Sequence, residues 1–348
     1  MVHVSIPSDA KKFIYISLIP LFFFLSGIFS KKQADYPAFF KKKCLRLLIP
    51  YLTFNIITYL FWLLIGRHFG DDANDSTAFW QPLLGVIYGS GHAIIHYVPL
   101  WFLPCIFMTE NLYFLIQKYS KSQKIKIIFI VCCGILGWIN YRFNPYLLPW
   151  GAGSALVMVV FYGFGDIVGN KIFINTANSI KNNALLFVIC LISMIFVYFW
   201  LPINKQIEVV DNMYGNYIFF LVGASVGVVG IIAFCKLFEN ISVPLKPLIF
   251  AGQNTLIILG FHLITMSLVK AITFFIFRLP LSIFDQTFAA ITLAFCSIII
   301  CMPIIYIIKK YFPFLIDKRE HLKTQKLRLA TDEKAEFTNV NEHFEEGA

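Results

Sequence analysis

Nine stretches of near-continuous apolar sequence, set apart by short polar loops, leave this chain few folds to choose from. They fall at about 13–29, 45–66, 93–117, 125–140, 147–169, 183–202, 217–237, 248–270 and 287–309. A helix needs roughly 17–25 mostly apolar residues to cross a bilayer. The fourth stretch is the shortest and sits at the lower limit of that range. None of the stretches alternates apolar and polar residues as a barrel strand does, and a backbone left unpaired in lipid is too costly to survive. The expected fold is therefore all-α: a polytopic transmembrane helix bundle of about nine spans.

Composition agrees. Hydrophobic residues make up 58% of the chain and charged residues 14%, where a soluble domain carries about 25% charge. The net charge of +10 does not point to nucleic acid. The basic residues lie in the loops and the C-terminal tail, and no soluble domain remains to present a binding face. No cleavable signal peptide is read, because the first apolar run follows Lys11 and Lys12 and continues into a long membrane domain. Cys44, Cys105, Cys132, Cys133, Cys190, Cys235, Cys296 and Cys301 lie in or beside apolar runs and read as small hydrophobes, not as a disulfide framework.

Orientation follows from Lys and Arg. Taking alternate loops, 22 of the 29 fall on one side, among them Lys31, Lys32, Lys41, Lys42, Lys43, Arg46, Lys118, Lys121, Lys124 and Lys126. That side is expected to be cytoplasmic, with the tail. The N-terminus then lies outside after only about a dozen residues, which points to a helix that would precede the first span. Beyond about residue 310 the sequence turns charged and polar, and 311–348 is expected to be a cytoplasmic, partly disordered tail. Gly223, Gly227 and Gly230 are spaced for close helix packing. No phosphate-cradling glycine loop, zinc-ligand spacing or Ser-His-Asp pattern is present.

Several ordered motifs carry a resemblance. They are Pro20-Leu21-Phe22-Phe23-Phe24-Leu25-Ser26-Gly27, Lys43-Cys44-Leu45-Arg46 running into Pro50-Tyr51, and Leu100-Trp101-Phe102-Leu103-Pro104. Asp211-Asn212-Met213-Tyr214-Gly215-Asn216 and Gly252-Gln253-Asn254-Thr255-Leu256 with His262 follow in the same order. Together, over residues 3–310, they resemble the membrane-bound acyltransferase 3 family, and the Asp211–Asn216 segment resembles its fucose 4-O-acetylase-like branch. The resemblance implies about ten spans, of which the first is missing here. It also implies a basic residue about eleven positions before an outer histidine. That basic residue is absent, and His3 stands where the histidine would fall. The implied domain covers 1–310.

The implied activity is O-acetyl transfer at the cell inner membrane, from cytosolic acetyl-CoA to a sugar hydroxyl of a surface polysaccharide or its lipid-linked precursor. The donor is acetyl-CoA, no metal is involved, and the remaining partners are the glycan acceptor and the bilayer. Transfer would be direct, since no nucleophile stands out. A polysaccharide transporter or flippase, or an inactive truncated family member, is the alternative. In this reading Lys43 and Arg46 hold the donor phosphates by charge-assisted hydrogen bonds; positive-inside anchoring is the plainer account. His3 takes the proton of the acceptor. Trp101 lines the acyl path, or serves only in an interfacial belt. Glu110 is costly in hydrocarbon, at about 2.5–3.5 kcal/mol, so it is expected inside the bundle, protonated or paired, walling the donor tunnel or making a helix-to-helix bond. His262 and Asn254, eight residues apart, are expected on one helix face at the acceptor side, or else bonded between helices. His92 and His96 read as solvated loop residues, and Asp166 as a helix-end residue without special role.

Overall fold

The computed structural model describes residues 14–33, 35–68, 77–169, 183–200, 204, 207–240 and 246–312. The first apolar run is π-helical over Ile14–Leu18 and α-helical (α1) over Ile19–Ile28. Then come α2, Tyr36–Lys43, a π-helical turn at Cys44–Leu48, and α3, Ile49–Leu64. The next helices are α4 (Gln81–Tyr88), α5 (Phe102–Tyr119), α6 (Gln123–Phe143) and α7 (Ala152–Phe164). The series closes with α8 (Asn183–Trp200), α9 (Tyr217–Asn240), α10 (Lys246–Gln253), α11 (Thr255–Phe275) and α12 (Thr287–Tyr311). Among the described residues there is no strand, only an isolated bridge between Glu208 and Met213.

Local chemistry explains several boundaries. Asp35 caps α2 by accepting from the Ala38 amide at 3.1 Å, and Ser122 caps α6 by accepting from the Ile125 amide at 3.3 Å. Two of the π-helical stretches run just ahead of a proline, Pro20 and Pro50. A proline ring clashes with the carbonyl four residues back, here Ile16 and Arg46, and the wider π winding carries that carbonyl out of the way.

Packing puts α5 and α7 at the centre. In the most apolar window of each, 72% and 61% of residues are buried, against 17% in α6. α7 lies against α1, α5 and α6; α9 packs on α8 and on the Ile14–Leu18 turn; α11 lies on α3. The seam between α1 and α7 has no room for side chains. A Cβ on Gly27 would collide with the Tyr162 carbonyl, and one on Gly165 with the Phe24 carbonyl. The expected glycine packing on α9 is also present: Gly227 faces Ser17, Gly230 faces Ser193, and Gly223 faces Ile16 and Trp200. The outside of the bundle is apolar, with Ile128, Val131 and Ile135 of α6 and Leu52, Ile56 and Leu60 of α3 exposed, as suits a lipid solvent. The chain divides after Cys301. All of this belongs to Met1–Cys301, and the second unit, Met302–Ala348, is described only to Phe312, helical as far as Tyr311.

Among the described residues, seven helical segments are long and apolar enough to span a membrane, against the nine expected. The first and sixth runs give described helices of only Ile16–Ile28 and Ala184–Trp200. The fourth run, expected to be short, forms a 21-residue helix. The third does not begin as a helix at residue 93. Gly89 and Gly91 adopt left-handed backbone, short 3-10 turns follow at Gly91–Ala93 and Val98–Trp101, and α5 starts only at Phe102. This loop is buried: Ile94, Tyr97 and Leu100 are core residues. Irregular backbone at such depth is tolerated because protein, not lipid, surrounds it. The eighth run is likewise broken at Asn254, between α10 and α11.

Candidate functional site

The ends of the helices sort into two polar clusters, and the residues assigned by charge to the cytoplasmic side meet one another. At that end Lys43, the last residue of α2, reaches Glu110 of α5 at 2.5 Å, and both side chains are about nine-tenths buried. Glu110 Oε2 has no hydrogen-bond partner among the described residues. Lys43 also lies over the Phe39 ring, 5.5 Å from its centroid. Of the alternatives for Glu110, the paired one is realised.

A second pair stands beside the first. Asp166, on the π-helical stretch Gly165–Gly169 that extends α7, accepts from Lys126 at 3.0 Å and from the Tyr113 hydroxyl at 2.6 Å. Sequence reasoning gave Asp166 no role and passed over Tyr113. Tyr36 donates to Asn111 at 3.2 Å, closing α2 onto α5. Tyr162 lies between the pairs, within electrostatic reach of Glu110, Asp166 and Arg46. Arg46 itself is exposed on the π-helical turn, as are Lys31, Lys32 and Lys41 nearby in sequence. The two cations expected to share one face are thus treated differently: Lys43 is spent on Glu110, while Arg46 presents a guanidinium at the rim. The only signal for this in the sequence is a carboxylate where hydrocarbon should exclude it.

The opposite end is closed by backbone-directed bonds. Tyr88 donates to the Leu147 carbonyl, Trp150 to that of Ile87 at 3.1 Å, and Tyr141 to that of Gly215 at 3.2 Å. His92 Nδ1 lies 2.6 Å from Asp211 Oδ1, tying the 89–101 loop to the Asp211–Asn216 segment. Tyr97, at the buried tip of the loop, donates to the Leu259 carbonyl at 3.0 Å and approaches His262 Nδ1 at 3.3 Å. That nitrogen also lies 3.1 Å from the Ile258 and Leu259 carbonyls, so His262 is oriented from one side of its ring by its own helix and by Tyr97. Asn254 is buried and donates to the Phe250 carbonyl at 2.6 Å, which bridges the helix break. Its side-chain amide is therefore committed to the backbone. Trp101 is 5% exposed and lies in the main core cluster, which removes the interfacial-belt account.

His96 departs from expectation. It is not solvated but 6% exposed, and neither ring nitrogen has a partner among the described residues. Burial pushes its pKa down to about 4, which the adjacent Asn55 backbone offsets only in part. His92 is exposed as expected. His3 lies outside the described residues. Among comparisons with known proteins, no curated relative and no solved structure matches the chain. A family model described as an acyltransferase domain matches residues 1–310.

Proposed function

This chain belongs to the acyltransferase 3 family, and from that premise we propose that it is a multi-pass inner-membrane O-acetyltransferase. It takes acetyl from cytosolic acetyl-CoA and gives it to a sugar hydroxyl of a surface polysaccharide or lipid-linked precursor. The resemblance of the Asp211–Asn216 segment to the fucose 4-O-acetylase-like branch supports a sugar acceptor. The observation that carries the reading is the basic rim at one end of the bundle, where exposed Arg46 stands over the buried Lys43–Glu110 pair.

Acetyl-CoA bears several phosphates. An exposed guanidinium suits them by its fork geometry, and lysines at the rim add attraction. The Lys43–Glu110 pair is net neutral, so it shapes the polar mouth without competing for the phosphates. The acetyl thioester is carried inward on the pantetheine arm, along the path beside Trp101. At the far end the acceptor hydroxyl attacks the thioester carbonyl: the C–O bond forms, the C–S bond breaks, and the hydroxyl proton passes to a base and then to the departing thiolate. The resemblance puts His3 forward as that base.

Membrane vesicles carrying the full chain, given acetyl-labelled CoA and native glycan, are expected to place label on the glycan. Arg46→Ala is expected to raise the KM for acetyl-CoA about tenfold, roughly 1.4 kcal/mol, at an unchanged protein level. Glycan crossing the membrane with no label attached would overturn the reading and favour a transporter. An unchanged donor KM would remove Arg46 from the donor site.

A further inference from the structure

His262 of α11 has one ring nitrogen committed and the other left open. Nδ1 lies 3.1 Å from the carbonyls of both Ile258 and Leu259, one turn back on its own helix. A carbonyl oxygen only accepts, so Nδ1 carries the hydrogen. The third neighbour agrees. Tyr97 Oη lies 3.3 Å from Nδ1 and gives its own hydrogen to the Leu259 carbonyl at 3.0 Å, so towards the histidine it presents lone pairs alone. A neutral imidazole has one N–H, and with it on Nδ1 the bare lone pair is on Nε2. Nε2 meets no hydrogen-bond partner among the described residues, yet it is not sealed in. The ring is half-buried, and unlike both nitrogens of His96 this atom keeps accessible surface.

The surroundings hold the ring still. Ser297 of α12 donates to the His262 carbonyl at 2.9 Å, and the amide of Leu263, the next residue, donates to Tyr97 Oη at 3.2 Å. The Tyr97 ring packs edge-on to the imidazole, with centroids 5.9 Å apart, and is itself 2% exposed. The turn that follows Tyr97, Val98–Trp101, packs against α11. His262 thus stands beside the turn that ends in Trp101, the residue the acyltransferase reading puts on the acyl path. An N–H fixed on one nitrogen and a lone pair on the other make an oriented base. When Nε2 takes a proton the ring becomes a cation, and two carbonyls and a hydroxyl oxygen are already aimed at the N–H that shares the charge. A metal would need further ligands, and among the described residues no group of three His, Cys, Asp or Glu is set to hold one.

We propose that His262, through Nε2, is the base of the transfer. This rests on the acyltransferase reading and gives His262 the role for which the resemblance puts forward His3. The acceptor hydroxyl donates to Nε2 as its oxygen attacks the thioester carbonyl of acetyl-CoA. The proton passes to Nε2, the C–O bond forms and the C–S bond breaks. Nε2–H then returns the proton to the departing thiolate.

Two readouts test it, both on the full-length protein. The first is transfer in membrane vesicles given acetyl-labelled CoA and native glycan. His262→Ala is expected to lose about 100-fold or more in kcat, with the KM for acetyl-CoA and the melting temperature unchanged. Added imidazole is expected to restore part of the loss, since a free base fits the space the ring leaves. The second readout does not depend on turnover. With ¹⁵N at histidine, in detergent and at alkaline pH where the ring is neutral, the His262 resonances are identified by their loss in His262→Ala. They are expected to show a proton on Nδ1 and none on Nε2. A proton on Nε2 would overturn the proposal, because the bare nitrogen would then be the one facing the helix. So would a His262→Ala protein that turns over like wild type. A loss that imidazole leaves untouched, or that tracks a fall in melting temperature, would make the histidine a packing residue and overturn it too. If the wild type transfers no acetyl, the acyltransferase reading falls and the base with it. If the wild type and His262→Ala transfer alike, only the base assignment falls.

Discussion

Lys43 and Glu110 lie 67 positions apart in the chain and meet at 2.5 Å inside the bundle. Losing one member of such a pair strands the other, and the cost of an uncompensated buried charge is about 3–5 kcal/mol. Lys43→Met alone is therefore expected to destabilise the protein by that order, while Lys43→Met with Glu110→Leu recovers most of the loss; thermal unfolding in detergent measures both. A single variant as stable as wild type would mean that the pair adds nothing to the fold. The same unfolding experiment reports on His96. Its folded pKa of about 4 lies below the ordinary 6.5, so between those values the unfolded chain binds more protons than the native one. Stability is then level above about pH 6.5 and falls as pH drops towards 4, by on the order of 3 kcal/mol across the window. His96→Phe is expected to lose that slope, and a slope left intact would assign it to other groups. Neither pairing nor orphaning was legible in the sequence. Glu110 announced itself as a charge in an apolar run, but its partner is set by how α2 meets α5. His96 read as a polar residue in a loop, and only the fold buries that loop.

At the level of helices, the apolar runs marked most of the spans, because a continuous stretch of the right length has few other fates. What they could not mark was irregularity inside an apolar stretch. The 89–101 loop is as hydrophobic as a helix, and its signals are Gly89, Gly91 and Pro99, each common inside membrane helices as well. The π-helical windings were more legible than they looked, since Pro20 and Pro50 demand relief from a clash in the turn before them. The seam between α1 and α7 depends on glycine for another reason: the two backbones touch. Gly27→Val is expected to force them apart at a cost of about 1–3 kcal/mol or more. Since α7 carries Tyr162 and leads into Asp166, the change is also expected to lower acetyl transfer while leaving the outer loop intact. A variant that melts with wild type, by the same thermal assay, would show that the helices tolerate a wider spacing.

For the molecule as a whole, the decisive quantity is which end of the bundle faces the cytosol. The two polar clusters are chemically unlike. One is rimmed by Lys31, Lys32, Lys41 and Arg46 around the paired Lys43 and Lys126; the other is built largely from tyrosine, tryptophan and asparagine bonds, with the His92–Asp211 contact among them. A cytoplasmic leaflet rich in anionic lipid attracts basic residues by about 1 kcal/mol each near its surface, so a 22-to-7 division of Lys and Arg favours one orientation by a wide margin. On the proposed reading, only that orientation gives cytosolic acetyl-CoA access to Arg46. Cysteine reporters resolve it. Phe79 and Tyr146 are exposed at the outer end, and Lys31 and Lys121 at the basic end. With the wild-type chain as baseline, a membrane-impermeant maleimide is expected to label Phe79→Cys and Tyr146→Cys in intact cells, and Lys31→Cys and Lys121→Cys only after permeabilisation. The reverse pattern would turn the basic rim away from every source of acetyl-CoA, and neither Arg46 nor the proposed direction of transfer would survive it.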